Sequence, residues 1–192
     1  MKLLFATQNN HKLEEVRAIL GNEFEIISPA DLNFSEELPE THSTIEENAE
    51  EKADFVFQHF NMNCFSEDTG LEIKALTGEP GVYSARYAGE GKNAIDNIDL
   101  VLQKMNDKTN RNAKFRTVIC LILDGEKYFF EGITEGKILN ERQGKSGFGY
   151  DPIFVAEGNN RSYAEMNLSQ KNEISHRKKA FEKMKEFLSL RS

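Results

Sequence analysis

The sequence contains no tryptophan, only two cysteines and only four prolines. No apolar run approaches the ~20 residues of a membrane span. Cys64 and Cys120, 56 positions apart, cannot build a disulfide framework or a thiolate metal cluster. That points to the reducing cytoplasm. Met1–Thr7 has too short an apolar stretch to read as a secretory signal. Positive charge is in deficit, with 24 Lys+Arg against 32 Asp+Glu and a net charge of −8. An acidic chain of this kind is a poor non-specific nucleic-acid binder, so no nucleic-acid or membrane partner is expected. Internal repeats and low-complexity linkers are missing too. Residues 1–192 are therefore expected to form one domain. Its core material is ample, with 39% hydrophobic residues and fourteen Phe.

The charge that is present is sorted along the chain. Asp31–Glu51 holds eight acidic residues and no Lys or Arg, whereas Lys171–Ser192 holds seven basic residues against three acidic ones. Such a division suits a metal-bound polyanion, and equally suits two solvated helix faces.

Apolar spacing lays out the elements. Lys2–Ala6 reads as a strand. Leu13, Val16, Ile19 and Leu20 repeat at helical period after the polar loop Thr7–Lys12. Phe24–Ile27 is a second short strand, and Ser28–Ser43 an acidic loop. Thr44–Phe60 is the clearest helix, opened by Thr44-Ile45-Glu46-Glu47 in capping-box spacing. Met62–Glu67 is a strand running into Asp68-Thr69-Gly70. Asn93–Met105 is a helix. Phe115–Leu123, apolar on both faces, is a central strand. Asp124-Gly125 turns it back into Lys127–Glu135. A glycine-rich loop, Gly144–Pro152, precedes the strand Ile153–Val155, and Ser169–Leu190 closes the chain as one helix. Mixed strands and helices with at least one hairpin define an α/β fold on a mixed sheet.

Five segments carry chemistry. Thr7–Lys12 places a hydroxyl, amides and a Lys at a helix start, which suits phosphate, although plain capping by Asn9 or Asn10 also explains it. Glu40 lies in the acidic loop, and Asn48 and Lys52 share one face of the helix that follows. Glu67-Asp68-Thr69-Gly70 sets two acids at a strand end, able to hold Mg²⁺ or to form an Asx turn. Adjacent strand residues face opposite ways, so only one of the two acids should serve a site directly. In Ser146–Pro152, glycines flank Phe148 and let backbone approach a flat ligand; a turn with a core Phe is the plainer reading. His176 and Arg177, with Lys171 one turn earlier, offer donors to a carbonyl or a phosphate, or form a solvated basic helix.

Taken in order, these segments resemble one family, the inosine/xanthosine triphosphate pyrophosphatases that clear non-canonical purine nucleotides. The resemblance runs from Leu4 to about Phe181. It is carried by Thr7-x-Asn9-x-x-Lys12, Glu47-Asn48-Ala49-x-x-Lys52-Ala53, Glu67-Asp68-Thr69-Gly70-Leu71, Pro80–Tyr87, Gly147–Phe154 and Ser175-His176-Arg177. It implies an elongated, two-lobed α/β fold whose long mixed sheet is flanked by helices around a central nucleotide cleft. It implies a homodimer that uses Mg²⁺ to split inosine, deoxyinosine or xanthosine triphosphate into the monophosphate and pyrophosphate. By position, Thr7, Gln8, Asn9, Asn10, His11 and Lys12 match the triphosphate loop. Asp68 matches the general base and metal ligand, Glu40 a second metal position, and Lys52 a phosphate-binding Lys. Thr69, Phe148, Gly149, Tyr150, Asp151, Lys171, His176 and Arg177 match positions around base and sugar. Gln8 departs from the pattern, because many relatives carry Gly there.

Overall fold

The computed structural model describes residues 1–191. The fold is mixed α/β. Its elements are β1 (Lys2–Phe5), α1 (Asn10–Leu20), β2 (Glu25–Ile27), α2 (Ile45–Phe60), β3 (Cys64–Ile73), β4 (Pro80–Gly81), α3 (Ala94–Lys104), β5 (Asn112–Leu123), β6 (Glu126–Ile138), β7 (Phe154–Ala156), α4 (Leu168–Ile174) and α5 (His176–Ser189). The strands run in the order β2-β1-β3-β5-β6-β7, and β4 pairs with β3. β1 is parallel to β2 and to β3, whereas β3–β4 and β6–β7 are antiparallel, so the sheet is mixed. β5 lies between β3 and β6, as its apolar faces predict. Asp124 and Gly125 both have positive φ (52° and 85°), the conformation a two-residue hairpin turn demands. Asn63 pins that turn by accepting the Asp124 N–H at 2.8 Å.

The described residues divide into two compact units. The first takes Met1–Asp68, Thr117–Gly132 and the chain from Arg177 onward; the second takes Thr69–Arg116 and Ile133–His176. In the first unit Leu3, Phe5, Val16, Leu20, Phe65, Ile119, Phe181 and Met184 make one core. Phe5 stacks on Phe65 at 4.6 Å, and Phe181 sets its ring edge-on to both. In the second unit Leu71, Ile73, Ile98, Val101, Phe115, Phe154 and Tyr163 do the same.

Two sequence expectations need correction. β3 does not stop at Glu67 but continues through Asp68, Thr69 and Gly70 to Ile73. Its charged residues sit in buried ion pairs, so a polar stretch is strand rather than turn. The closing helix is two helices, broken at Ser175, whose backbone is extended (φ −74°, ψ 150°). The apolar spacing of Ile174 and Phe181 persists across the break and conceals it. As the capping-box spacing predicts, Thr44 is the N-cap of α2: its hydroxyl accepts the Glu47 N–H at 3.2 Å and donates to the Glu47 carboxylate. Among the described residues no helix is long and apolar enough to cross a membrane.

Candidate active site

In the first unit the chemistry gathers where β1 and β3 give way to polar chain. After β1, Thr7 Oγ1 accepts the Asn9 N–H at 3.1 Å, and Asn9 Oδ1 accepts the Lys12 N–H at 3.1 Å. Asn9 is thus the N-cap of α1. The capping and anion-binding readings are compatible, because the cap fixes the helix start whose positive dipole end suits phosphate. Asn10 and His11 are exposed on the first turn. Gln8 does not crowd this loop. Its Nε2 reaches out to donate to the Glu36 carbonyl at 2.8 Å, tying the loop after β1 to the acidic loop.

Lys52, buried on α2, donates to Glu40 Oε1 at 2.6 Å and lies 3.3 Å from Asp68 Oδ1. Two carboxylates therefore converge on one ammonium. Asn48, one turn earlier, accepts the His42 N–H at 2.9 Å and donates to the His42 carbonyl at 3.2 Å, which holds the loop carrying Glu40. The adjacent acids Glu67 and Asp68 have different partners, as strand alternation requires. Glu67 receives Arg177 and Lys12, the latter at 3.2 Å.

These environments drive the two acids apart. Burial pushes Glu67 up, but Arg177 and Lys12 outweigh it and hold the carboxyl at about 2. For Asp68 burial dominates, and with Glu40 nearby its carboxyl is raised despite Lys52 and Lys12. Burial works against the charge of Lys52, yet Asp68 and Glu40 raise it above the ordinary lysine value. The two neighbouring carboxyls are thus driven in opposite directions, Glu67 held as an anion between two cations and Asp68 pushed up by burial.

In the second unit the glycine-rich loop wraps Asp151. Asp151 Oδ2 accepts the Phe148 N–H at 2.8 Å and Lys171 Nζ at 2.6 Å. Gly147 has φ 76°, and a Cβ there would lie 2.2 Å from that same oxygen, so this position demands glycine. Gly149 also has positive φ. Lys171 Nζ sits 4.6 Å over the half-buried Phe148 ring and 5.6 Å from that of Tyr163. His176 is buried and stacks on Phe115 at 4.6 Å. Thr69 is half-buried on β3.

Two of the residues matched to base and sugar have buried, engaged side chains. Tyr150 donates its hydroxyl to the Ser84 carbonyl at 2.8 Å, which anchors the Pro80–Tyr87 segment. Arg177 belongs to the first unit and is 1% exposed, with its guanidinium on Glu67 and Glu15. Sequence reading passed over Glu15, although its place three residues after Lys12 on one helix face was a signal. It also passed over Tyr163, which no local pattern marks.

Glu40 and Asp68 are the residues able to hold a cation. Among the described residues no group of three or more His, Cys, Asp or Glu side chains is arranged for a metal. The two carboxylates face the Lys52 ammonium, and as hard oxygen donors they are of the type that Mg²⁺ takes one or two of, its remaining positions going to phosphate and water.

The first unit thus holds two carboxylates on a buried lysine near a capped helix start, and the second, by itself, a lysine over an aromatic ring in a glycine-rich loop. The chain belongs to the Ham1 family, whose model matches residues 3–187. The chain is 49% identical to a dITP/XTP pyrophosphatase of Christiangramia forsetii, over 98% of this chain and 100% of that one. It is 48% identical to a dITP/XTP pyrophosphatase of Porphyromonas gingivalis, over 97% of each. The solved structure of the Staphylococcus aureus Ham1 protein superposes with a TM-score of 0.90 at 36% identity, covering 100% of both chains.

Proposed function

We propose that this protein hydrolyses non-canonical purine nucleoside triphosphates (inosine, deoxyinosine and xanthosine triphosphate) to the monophosphate and pyrophosphate, with Mg²⁺ as cofactor. The observation that carries the reading is the convergence of Glu40 and Asp68 on Lys52, in the unit where Lys12 sits on the first turn of α1. The names of the curated relatives, dITP/XTP pyrophosphatase, support deoxyinosine and xanthosine triphosphates as substrates.

In the first unit, Glu40 and Asp68 would hold the ion. When bound, Mg²⁺ offsets charge on the phosphate oxygens. Asp68 orients the attacking water and accepts its proton, a role its raised pKa favours. Lys12 and Lys52 stabilise the leaving pyrophosphate. A donor placed for developing charge is worth about 2.7–4 kcal/mol. In the second unit, Phe148 offers a stacking face and Lys171, held by Asp151, offers donors to a purine O6. His176 packs behind them in the aromatic stack. Adenine presents an amino group where these purines present O6, so donor would meet donor. A mismatch of that kind discriminates by about 10⁴ or more.

The same proposal places the enzyme in the reducing cytoplasm, in keeping with two free, buried cysteines. It takes the enzyme to be a homodimer, which sedimentation would test. The deciding experiment is pyrophosphate release from inosine, xanthosine, guanosine and adenosine triphosphates, with and without Mg²⁺. Fast metal-dependent release from inosine and xanthosine triphosphates is expected. Binding of inosine triphosphate without turnover would refute the catalytic reading.

A further inference from the structure

Thr134 is buried on β6, and its hydroxyl donates to the Ile174 carbonyl at 2.9 Å, 40 residues away. Ile174 ends α4, because Ser175 beyond it is extended. A helix end leaves its last carbonyls without intrahelical partners, and Thr134 supplies one from the sheet. The other end of α4 is held by Asn167. Its Oδ1 accepts the Gln170 N–H at 2.9 Å, and its own N–H donates to Gln170 Oε1 at 3.1 Å. A helix of seven residues is not stable by itself, so its ends and its packing fix where it lies. Lys171 sits between those ends. Its N–H donates to the Asn167 carbonyl at 3.0 Å, and Ile174 follows one turn later. The same lysine puts its Nζ 2.6 Å from Asp151 Oδ2 and 4.6 Å over the Phe148 ring. All of these residues belong to the second unit.

We propose that Thr134 and Asn167 are positioning residues for base recognition: they hold α4 at both ends and so keep the Lys171 ammonium over Phe148. The inference rests on the reading above in which Lys171 donates to a purine O6, and it names what aims that donor. Without the Thr134 hydroxyl, the Ile174 carbonyl loses this partner at a part-buried helix end. The last turn of α4, which carries Lys171, then shifts to bring the carbonyl to water.

The test uses Thr134→Val, Thr134→Ser and Asn167→Ala in the full chain, with Lys171→Met as the reference. Steady-state kinetics measures the inosine-to-adenosine triphosphate ratio of kcat/KM, and calorimetry the melting temperature. Lys171→Met should remove most of the inosine preference. Thr134→Val and Asn167→Ala should each lower it about two- to tenfold, the worth of one hydrogen bond, through a higher KM for inosine triphosphate with kcat kept. Thr134→Ser retains the hydroxyl and should stay within about twofold of the wild type. In the Lys171→Met background Thr134→Val should change the preference no further, because it acts through Lys171. A lower melting temperature with the preference intact in both Thr134→Val and Asn167→Ala would overturn the proposal, as would a loss in Thr134→Ser equal to that in Thr134→Val. Should Thr134→Val fail to fold, Asn167→Ala, at an exposed position, carries the same measurements. A preference that survives Lys171→Met would instead refute the base reading on which the proposal rests.

Discussion

Acid should unfold this protein partly through one carboxylate. Glu67 titrates at about 2 in the fold, against an ordinary 4.5. A carboxyl depressed by folding adds stability above its unfolded value and loses it as pH falls toward its folded value. The window is therefore pH 4.5 down to about 2. Roughly two and a half pH units at about 1.4 kcal/mol each give about 3–4 kcal/mol in all, of which about 3 kcal/mol is lost by pH 2. The side chain is fully buried, so solvent screening takes little from this. Asp68, raised by burial, has the opposite sign and lends stability as pH falls through its higher value. Comparison of the wild type with Glu67→Gln cancels that common contribution. With no tryptophan to report unfolding, the assay is urea denaturation followed by far-UV circular dichroism at stepped pH. The wild type should lose about 3 kcal/mol more than Glu67→Gln between pH 5 and 2. Parallel curves for the two proteins would refute the reasoning.

Asp68→Asn should lower turnover of inosine triphosphate at least about a hundredfold with nucleotide binding kept, as for loss of a general base; near-normal turnover would remove Asp68 from that role. Gly147→Ala drives a methyl group into Asp151 Oδ2. It should lower the melting temperature and weaken inosine over adenosine selectivity together, read by calorimetry and a substrate panel. Gln8→Ala releases the tie to the Glu36 carbonyl. The Mg²⁺ concentration for half-maximal rate should rise by about two- to tenfold, the worth of one hydrogen bond, with little change in the rate at saturation. Burial pushes the thiols of Cys64 and Cys120 up to about 12. Neither should react with a thiol reagent at pH 8 until denaturant is added.

Within a single element, apolar period and structure agree closely; only across Ser175 does the period run on where the helix breaks. The apolar stripe Ile45, Ala49, Ala53, Val56 and Phe60 marks α2, its first four residues buried and Phe60 half-buried. β5 was marked as central by an apolar run that its place in the sheet explains. Agreement fails where polar side chains are buried. The stretch Glu67–Gly70 reads as turn because a lone sequence cannot show that Arg177, 110 residues away, neutralises Glu67. The same distance concealed the place of Arg177, since a basic residue at a helix start carries no local mark of burial. Capping by Asn9 was legible because its partner, Lys12, is three residues away. The tie from Gln8 to Glu36 was not, because it spans 28 residues.

The first unit is assembled from both ends of the chain and from a middle segment, whereas the second lies wholly within Thr69–His176. This sets an order of completion during synthesis. The last residue of the second unit leaves the ribosome before Arg177 does. Until Arg177 arrives, Glu15 and Glu67 lack the guanidinium they share, and burying carboxylates without that countercharge costs several kcal/mol. The N-terminal strand and helix are thus made first but locked last, when the final helix supplies their countercharge.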